Sequence, residues 1–150
     1  MEEAYNYIAA AEWPDDIKGA GWKSFNPLHF VNPPIIDGFD GDIHTSPTNA
    51  SFGAASCMKT LANPTTDVNL IPKSLCTRLM IHFIGDIHQP LHSSTLFSPE
   101  FPEGDMGGNL FEIDYTPRKS FKKLHTFWDA TSHYYGEVKV PVTDKVFDKL

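Results

Sequence analysis

Residues 82–92 have the sequence HFIGDIHQPLH and close an apolar segment that begins near Pro72. The apolar side chains of this segment fall on nearly every face of a helix, which is typical of a helix buried among other helices. Pro90 has no backbone N–H and cannot continue a helix, so the helix is predicted to end at Gln89-Pro90. The segment therefore predicts a long buried helix in a mainly α fold. Its apolar members are Leu75, Leu79, Met80, Ile81, Phe83, Ile84 and Ile87.

His82 and Asp86 are four residues apart on this helix, so their side chains project about 40° apart on one face. A charged Asp and a His on the inner face of an apolar helix are costly unless each has a partner. The two side chains could pair with each other, which would be a structural role. Alternatively, both could bind a metal ion.

Other histidines and aspartates favour the metal interpretation. His92 follows the end of the helix and can fold back toward the same cleft, and His125 and Asp129 repeat the four-residue spacing. Imidazole and carboxylate groups without cysteine suit zinc in an open hydrolytic site. The candidate ligands are Asp15, His29, His82, Asp86, His92, His125 and Asp129.

The remaining histidines are expected to have ordinary roles. His88 is placed to satisfy backbone carbonyls at a helix end, and His44 lies in a loop rich in Gly and Pro, where it is expected to be solvated. His133, beside two tyrosines, suits packing at a helix C-terminus, where its partial positive charge complements the helix dipole.

The other predicted elements are also mostly helical. A helix over residues 2–11 is expected to end in a loop at Trp13-Pro14-Asp15, and a helix over 47–61 is expected to have Ser46 as its N-cap. A further helix is predicted over 120–135. Residues 26–46 and 96–108 are rich in Pro and Gly and predict irregular connections.

Residues 109–115 alternate apolar and polar side chains, which predicts a short strand and half of a β-hairpin. The chain of 150 residues fits a single domain over residues 1–150. The predicted fold is mainly α, a multi-helix domain with one small β-hairpin and a metal cleft between its helices.

Composition bounds the possible functions. No apolar segment approaches the ~20 residues of a membrane span, and the first residues have neither the basic nor the apolar region of a signal peptide. The formal charge of −7 argues against a partner that is recognised by a broad basic patch, such as duplex DNA, unless bound divalent ions supply positive charge in a cleft. Cys57 and Cys76 are too few for a disulfide scaffold, and a bridge between them stays open. Asn49-Ala50-Ser51 is a glycosylation acceptor.

Five segments of the sequence resemble, in order and spacing, the zinc-dependent single-strand-specific nucleases of the S-one and P-one type. The segment over 82–92 is the most specific, because its signature is shared only with the zinc phospholipases C of the same superfamily. The resemblance covers residues 13 to about 130. The segments are Trp13-Pro14-Asp15-Asp16-Ile17, Pro27-Leu28-His29-Phe30-Val31, residues 82–92, Gly107-Gly108-Asn109 and Leu124-His125-Thr126-Phe127-Trp128-Asp129.

The resemblance implies a helical fold in which zinc ions share one cleft. It implies one zinc bound by Asp15, His29, His82 and Asp86, and a second bound by His92, His125 and Asp129. Asp86 would also bridge to a third zinc, whose other family ligands are a mature N-terminal Trp and a nearby His. This chain is expected to lack those two ligands and to be incomplete at both ends.

The resemblance also implies the chemistry. Zinc lowers the pKa of bound water toward ~7 and so supplies hydroxide at neutral pH, while further zinc ions hold phosphate oxygens. Phe30 could stack on an unpaired base or be a core aromatic residue, and Lys18 could approach the phosphate or be a solvated surface charge. Asn32 stands where relatives have Asp, and an amide cannot act as a base. Asn109 could hydrogen-bond near the site or shape its turn.

The leading functional hypothesis is a zinc-dependent endonuclease and 3′-nucleotidase that cleaves single-stranded RNA and DNA to 5′-phosphates. A zinc phospholipase C-like phosphodiesterase is the first alternative, and a folded zinc-binding fragment without turnover is the second. The expected partner is a single-stranded nucleic acid or nucleotide, and the sequence predicts no protein partner. The family implies secretion or a lysosomal or vacuolar location.

Overall fold

A computed structural model describes residues 7–64, 70–114 and 121–130 and confirms the mainly helical fold. The described residues form four α-helices, a two-stranded sheet and two short 3-10 helices. None of the described helices is both long and apolar enough to cross a membrane. In chain order the elements are α1 (Tyr7–Gly19), a 3-10 helix (Asn26–His29), β1 (Pro34–Ile36), α2 (Ala50–Ala62), α3 (Leu70–His88), a 3-10 helix (Pro90–His92), β2 (Thr95–Phe97) and α4 (Leu124–Asp129).

Helix α3 is the long central helix that the sequence predicts, and it ends at His88. Helices α1 and α2 both pack against it. The prediction that α3 is buried on all sides is wrong, because Ile71 is 76% exposed and Ile84 is 40% exposed. The apolar core lies where α2 meets α3 and contains Cys57, Cys76, Leu79 and Phe83.

Helix α1 corrects the prediction of a loop at Trp13-Pro14-Asp15, since the helix continues through Pro14 to Gly19. Pro14 is fully buried, and its ring packs in the interior instead of ending the helix. The carbonyl of Ala11, in the turn before the proline, accepts a hydrogen bond from the Nδ1–H of His82. This hydrogen bond joins α1 to α3 one turn before the proline. Residues 2–6 of the predicted helix lie outside the described residues.

Helix α2 begins at Ala50, three residues later than predicted, and its N-cap is Asn49 instead of Ser46. The side-chain oxygen of Asn49 accepts a hydrogen bond from the backbone N–H of Phe52 at 3.0 Å. The Ser46 hydroxyl accepts from the backbone N–H of Thr48 at 3.2 Å and so closes the preceding turn. Serine and asparagine both cap helices. Here Ser46 closes the turn that precedes the helix, so Asn49 is the residue at the N-cap.

We expect the Asn49→Ala substitution to lower the free energy of unfolding by about 1 kcal/mol, because the N–H of Phe52 loses its acceptor. Urea unfolding followed by circular dichroism measures the change. Ser51→Ala is the matched control, since it also removes the glycosylation acceptor but leaves the cap intact. Equal stability of the two variants would argue against the capping role.

The two-stranded sheet is a parallel pair and does not include the predicted strand over 109–115. Strand β1 pairs with β2, with Pro34 opposite Thr95 and Ile36 opposite Phe97. The pairing continues toward the N-terminus, where the N–H of Val31 donates to the carbonyl of His92 at 2.7 Å. A parallel pair needs a long connection, and local alternation cannot predict it.

The described part of 109–115 pairs antiparallel with residues 122–124 through a bridge between Glu112 and Lys123. Two backbone hydrogen bonds of 3.0 Å flank the bridge, from Ile113 to Lys122 and from Leu124 to Phe111. Tyr115 lies outside the described residues. Lys123 also donates to the Glu112 carboxylate at 2.9 Å. The predicted helix over 120–135 is shorter in the described residues, since α4 covers Leu124–Asp129. Residues 131–135, with His133, lie outside the described residues.

Cys57 and Cys76 are both buried and free in the core between α2 and α3. Burial, together with a hydrogen bond to the Cys76 thiol, raises the pKa of Cys57 to about 12. Because the thiolate is the reactive form, Cys57 is inert at neutral pH.

We therefore expect Cys57 in the folded chain to react with iodoacetamide at pH 8 at least ~100-fold more slowly than in urea, because burial and protonation both protect it. Mass spectrometry of the alkylated peptides measures the two rates. Free glutathione in the same urea solution controls for the effect of urea on the reagent. Similar rates in the folded and unfolded chain would contradict a buried thiol.

Candidate metal centre

A cleft of about 1000 Å³ brings together residues from α1, the 3-10 helices, the end of α3 and α4. Six of the seven predicted ligands line it, and His82, 8% exposed, lies beneath them. The four further predicted site residues line the same cleft. They are Lys18, Phe30, Asn32 and Asn109.

The first ligand group consists of Asp15, His29, His82 and Asp86. His29 Nδ1 and His82 Nε2 are 2.9 Å apart, and the Asp86 Oδ2 atom lies 3.0 Å and 3.1 Å from them. The Asp15 carboxylate lies farther away, at 3.7 Å from His29 Nδ1 and 3.8 Å from His82 Nε2. The two histidine nitrogens from two elements therefore lie between two carboxylates, Asp86 on α3 and Asp15 on α1.

Local structure fixes the orientation of this group. The spacing of His82 and Asp86 places them on one face of α3, as predicted. The Nδ1–H of His82 donates to the Ala11 carbonyl of α1, which leaves Nε2 free to face the group. His29, 4% exposed, ends a 3-10 helix that Pro27 favours by its fixed backbone angle.

The second ligand group consists of His92, His125 and Asp129. The Asp129 carboxylate lies 3.8 Å from His92 Nε2 and 3.4 Å from His125 Nε2. The two imidazole rings stack with centroids 4.9 Å apart. His92 Nδ1 donates to the His29 carbonyl at 2.9 Å, and His125 Nδ1 donates to the Gly107 carbonyl at 2.7 Å. Both rings therefore have a fixed tautomer that directs Nε2 toward the group, as in metal-binding histidines.

Asp86 connects the two groups, because its Oδ1 atom is 3.5 Å from His92 Nδ1 while its Oδ2 atom faces the first group. Burial opposes ionisation of this carboxyl, but hydrogen bonds to His29 and His82 outweigh it and hold the pKa of Asp86 well below its usual range. Burial also lowers the pKa of His82, but its bonds to Asp86 and Ala11 raise it above the usual value overall. The centre therefore keeps a carboxylate ionised in a largely buried place.

The first group fits a four-coordinate metal ion. Zinc bonds of about 2.0–2.1 Å in a tetrahedron place ligand atoms about 3.3 Å apart. The separations between each histidine nitrogen and the other ligands of the group run from 2.9 Å to 3.8 Å, and the Asp15, His29 and His82 atoms all lie within 4.8 Å of one another. The alternative, a structural pair of His82 and Asp86, does form. It does not account for Asp15 and His29 converging on the same atoms. The His92, His125 and Asp129 atoms also lie within 4.8 Å of one another.

The other predicted residues have distinct positions. Phe30 is 37% exposed and lines the cleft, so the interpretation as a core aromatic residue is wrong. Lys18 pairs with Asp15 at 3.0 Å at the cleft edge, and its side chain is 45% exposed, as a solvated surface charge would be. Asn109 donates to the Met106 carbonyl at 2.9 Å, which shapes the turn as one alternative predicted. His88 Nδ1 bonds the Ile84 carbonyl, and His44 is exposed, both as predicted.

Sequence reasoning did not place eight further cleft residues in the site. They are Asn26, Gly85, His88, Gln89, Pro90, Leu91, Met106 and Trp128. Trp128 precedes Asp129 and Gln89 lies between Asp86 and His92, so their position beside candidate ligands is the signal that could have found them. Met106 has a left-handed backbone with φ of 56°, and nothing in its sequence context predicts that. Asn26 has a buried side-chain oxygen without a hydrogen-bond partner among the described residues.

Comparison with known proteins agrees with this architecture. The family model described as S1/P1 Nuclease matches residues 2–144. The chain is 31% identical to Endonuclease 4 of Arabidopsis thaliana, over 86% of this chain and 46% of that protein. It is 28% identical to Nuclease S1 of Aspergillus oryzae, over 86% of this chain and 43% of that protein. The chain thus spans less than half the length of these relatives, and the match over most of its own length shows that it belongs to the S1/P1 nuclease family.

Proposed function

We propose that this chain binds two zinc ions and hydrolyses phosphodiester bonds of single-stranded RNA and DNA to 5′-phosphates, with 3′-nucleotidase activity. One observation carries the proposal: two His and Asp groups share one cleft and meet at the Asp86 carboxylate. The family and the names of its members support the nuclease class. Imidazole and carboxylate donors without a thiolate support an open hydrolytic zinc site over a closed structural one.

The ligands divide between the two groups. Asp15, His29, His82 and Asp86 would hold one ion. His92, His125 and Asp129 would hold the other. When bound, zinc supplies Lewis acidity, which activates water and neutralises charge on the phosphate.

The charge of the cleft explains why cations are needed there. Asp15, Asp86 and Asp129 all line it, so a phosphate diester would meet three carboxylates. The chain also has a formal charge of −7. Lys18 lies at the cleft edge on the Asp15 carboxylate, from which its flexible ammonium group can reach a bound phosphate.

The exposed ring of Phe30 offers a surface for an unpaired base. Stacking of a base on an aromatic ring contributes about 1–3 kcal/mol and tolerates every base. A duplex must unstack and unpair a base before it can use such a ring, which favours single strands. Asn32 lines the same cleft and can form hydrogen bonds with its amide, but it cannot accept a proton from water.

The location we propose is secreted, lysosomal or vacuolar, as the family resemblance implies. The glycosylation acceptor at Asn49 supports it, although that side chain also caps α2. Glycosylation at this position would have to leave the cap acceptor in place, because the glycan attaches to the nitrogen and the cap uses the oxygen.

The test is digestion of a labelled single-stranded oligonucleotide by the full chain, first with a chelator and then with zinc added back. Cleavage that stops with the chelator and returns with zinc supports the proposal. A matching duplex and a nucleoside 3′-monophosphate test strand preference and nucleotidase activity.

Two outcomes would overturn the proposal in different ways. Hydrolysis of a phosphocholine ester but not of the oligonucleotide would favour the phospholipase C-like alternative. If a titration shows that the metal-free chain binds zinc but neither substrate is hydrolysed, the zinc-binding fragment is favoured. Asp15→Asn and Asp129→Asn serve as variants that each weaken one ligand group while retaining the side-chain size.

A further inference from the structure

Gln89 joins the end of α3 to the second ligand group. Its Nε2 donates to Asp129 Oδ1 at 2.8 Å, and its Oε1 accepts from the backbone N–H of Leu91 at 2.5 Å. Both ends of the amide are therefore engaged, one by the turn that leads to His92 and the other by α4. The bond to Asp129 spans 40 residues of sequence.

Asp129 needs such a contact because its side chain is 44% exposed and lies at the end of a helix of only six residues. An exposed carboxylate rotates freely unless a donor holds it, and a ligand that is not held loses conformational freedom when it binds a metal. The hydrogen bond from Gln89 is shorter than the distances from Asp129 to His92 and His125. It places Oδ2 toward His125 and keeps Oδ1 beside His92.

We propose that Gln89 is a positioning residue for the second ligand group, which sets the affinity of that group for its metal through Asp129. The proposal rests on the proposed function, because it assumes that His92, His125 and Asp129 bind an ion. Hydrogen bonds from neighbouring groups to metal ligands typically change metal affinity by about 10–100-fold. We expect a loss of that size at the second group and no change at the first.

The experiment is a zinc titration of the metal-free full chain against a chromophoric chelator, with cobalt absorption spectra as a second readout. Gln89→Met retains the length of the side chain but removes both hydrogen bonds. Gln89→Glu retains an acceptor for Leu91 and replaces the donor to Asp129 with a like charge. Ser94→Ala is the matched control, because it removes a different hydrogen bond from the same turn, the one to the Pro90 carbonyl.

Two backgrounds separate the groups, and both remove an exposed carboxylate to limit effects on folding. In an Asp15→Ala background the first group is weakened, so the tighter binding event in the titration reports the second group, and Gln89→Met should weaken that event about 10–100-fold. In an Asp129→Ala background the titration reports the first group, and the same change should leave it unaltered. The cobalt spectrum of Gln89→Met should change only in the Asp15→Ala background.

Three results would overturn the proposal. Wild-type affinity at the second group in Gln89→Met would show that Asp129 needs no support. Weakening in Gln89→Met but wild-type affinity in Gln89→Glu would assign the effect to the turn at Leu91. Equal weakening of both groups would indicate a general effect on folding. A wild-type chain that binds no ion at the second group would instead refute the proposed function, and this inference with it.

Discussion

The Asp86→Asn variant should bind zinc at least ~100-fold more weakly at the first group, since loss of a residue that only supports a ligand already costs 10–100-fold. The reason is that Asp86 supplies an ionised carboxylate 3.0 Å and 3.1 Å from the His29 and His82 nitrogens, and an amide supplies no charge. Binding at the second group should also weaken, because Asp86 Oδ1 lies 3.5 Å from His92 Nδ1. Titration of the metal-free chain with zinc measures both effects, and hydrolysis of the oligonucleotide should fall in parallel.

Asp16→Asn is the control for this prediction. Asp16 is exposed, carries the same charge and lies next to Asp15, but it is not part of either ligand group. The control should retain wild-type affinity at both groups. Two zinc ions bound with wild-type affinity by Asp86→Asn would refute the assignment of this carboxylate to the centre.

The Gly107→Ala variant should lose about 3 kcal/mol of folding free energy. Gly107 has φ of 62°, where a side chain costs about 1–2 kcal/mol. An added Cβ would also lie 2.2 Å from the Leu91 carbonyl oxygen, so the backbone itself must shift. For a chain of this length such a loss corresponds to a melting temperature about 6–12 °C lower. Thermal unfolding followed by circular dichroism measures it.

The same substitution should also weaken the second ligand group, because the Gly107 carbonyl holds the His125 ring. Gly19→Ala is the matched control, since Gly19 ends α1 and has open space where a Cβ would be added. We expect the control to change stability by less than ~1 kcal/mol. A Gly107→Ala variant as stable as the control would contradict the prediction, since the backbone near the Leu91 carbonyl would then move without loss of stability.

The sequence predicts the candidate centre better than it predicts the boundaries of the elements. His82 and Asp86 depend on helix periodicity, which is local, and their positions on α3 agree with the prediction. The convergence of Asp15 and His29 on them is a tertiary feature that spacing alone does not show. The family resemblance grouped these four residues, and the structure brings all of them together.

The errors have a common physical cause, which is that tertiary contacts outweigh local preference. Pro14 alone predicts a break, but α1 continues through it, with the Pro14 ring buried against the rest of the fold. The alternation over 109–115 predicts a strand, and its described part pairs antiparallel with residues 122–124, but the two-stranded sheet forms elsewhere. The sequence shows Gln89 only as a residue at a helix end, because its hydrogen-bond partner, Asp129, is 40 residues away.

The parallel pairing of β1 and β2 has a consequence for how far apart two bound ions would lie. Just before these strands, the carbonyl of His29 accepts a hydrogen bond from the His92 ring, and the N–H of Val31 donates to the His92 carbonyl. The register of the two strands therefore aligns His29 of the first group with His92 of the second. A slip of one residue in that register would displace His92 by about 3.3 Å, well beyond the ~0.5 Å within which catalytic geometry must be held. The distance between two bound ions would therefore depend on strand alignment, and mutations in Pro33 or Pro34, which belong to neither ligand group, should change it.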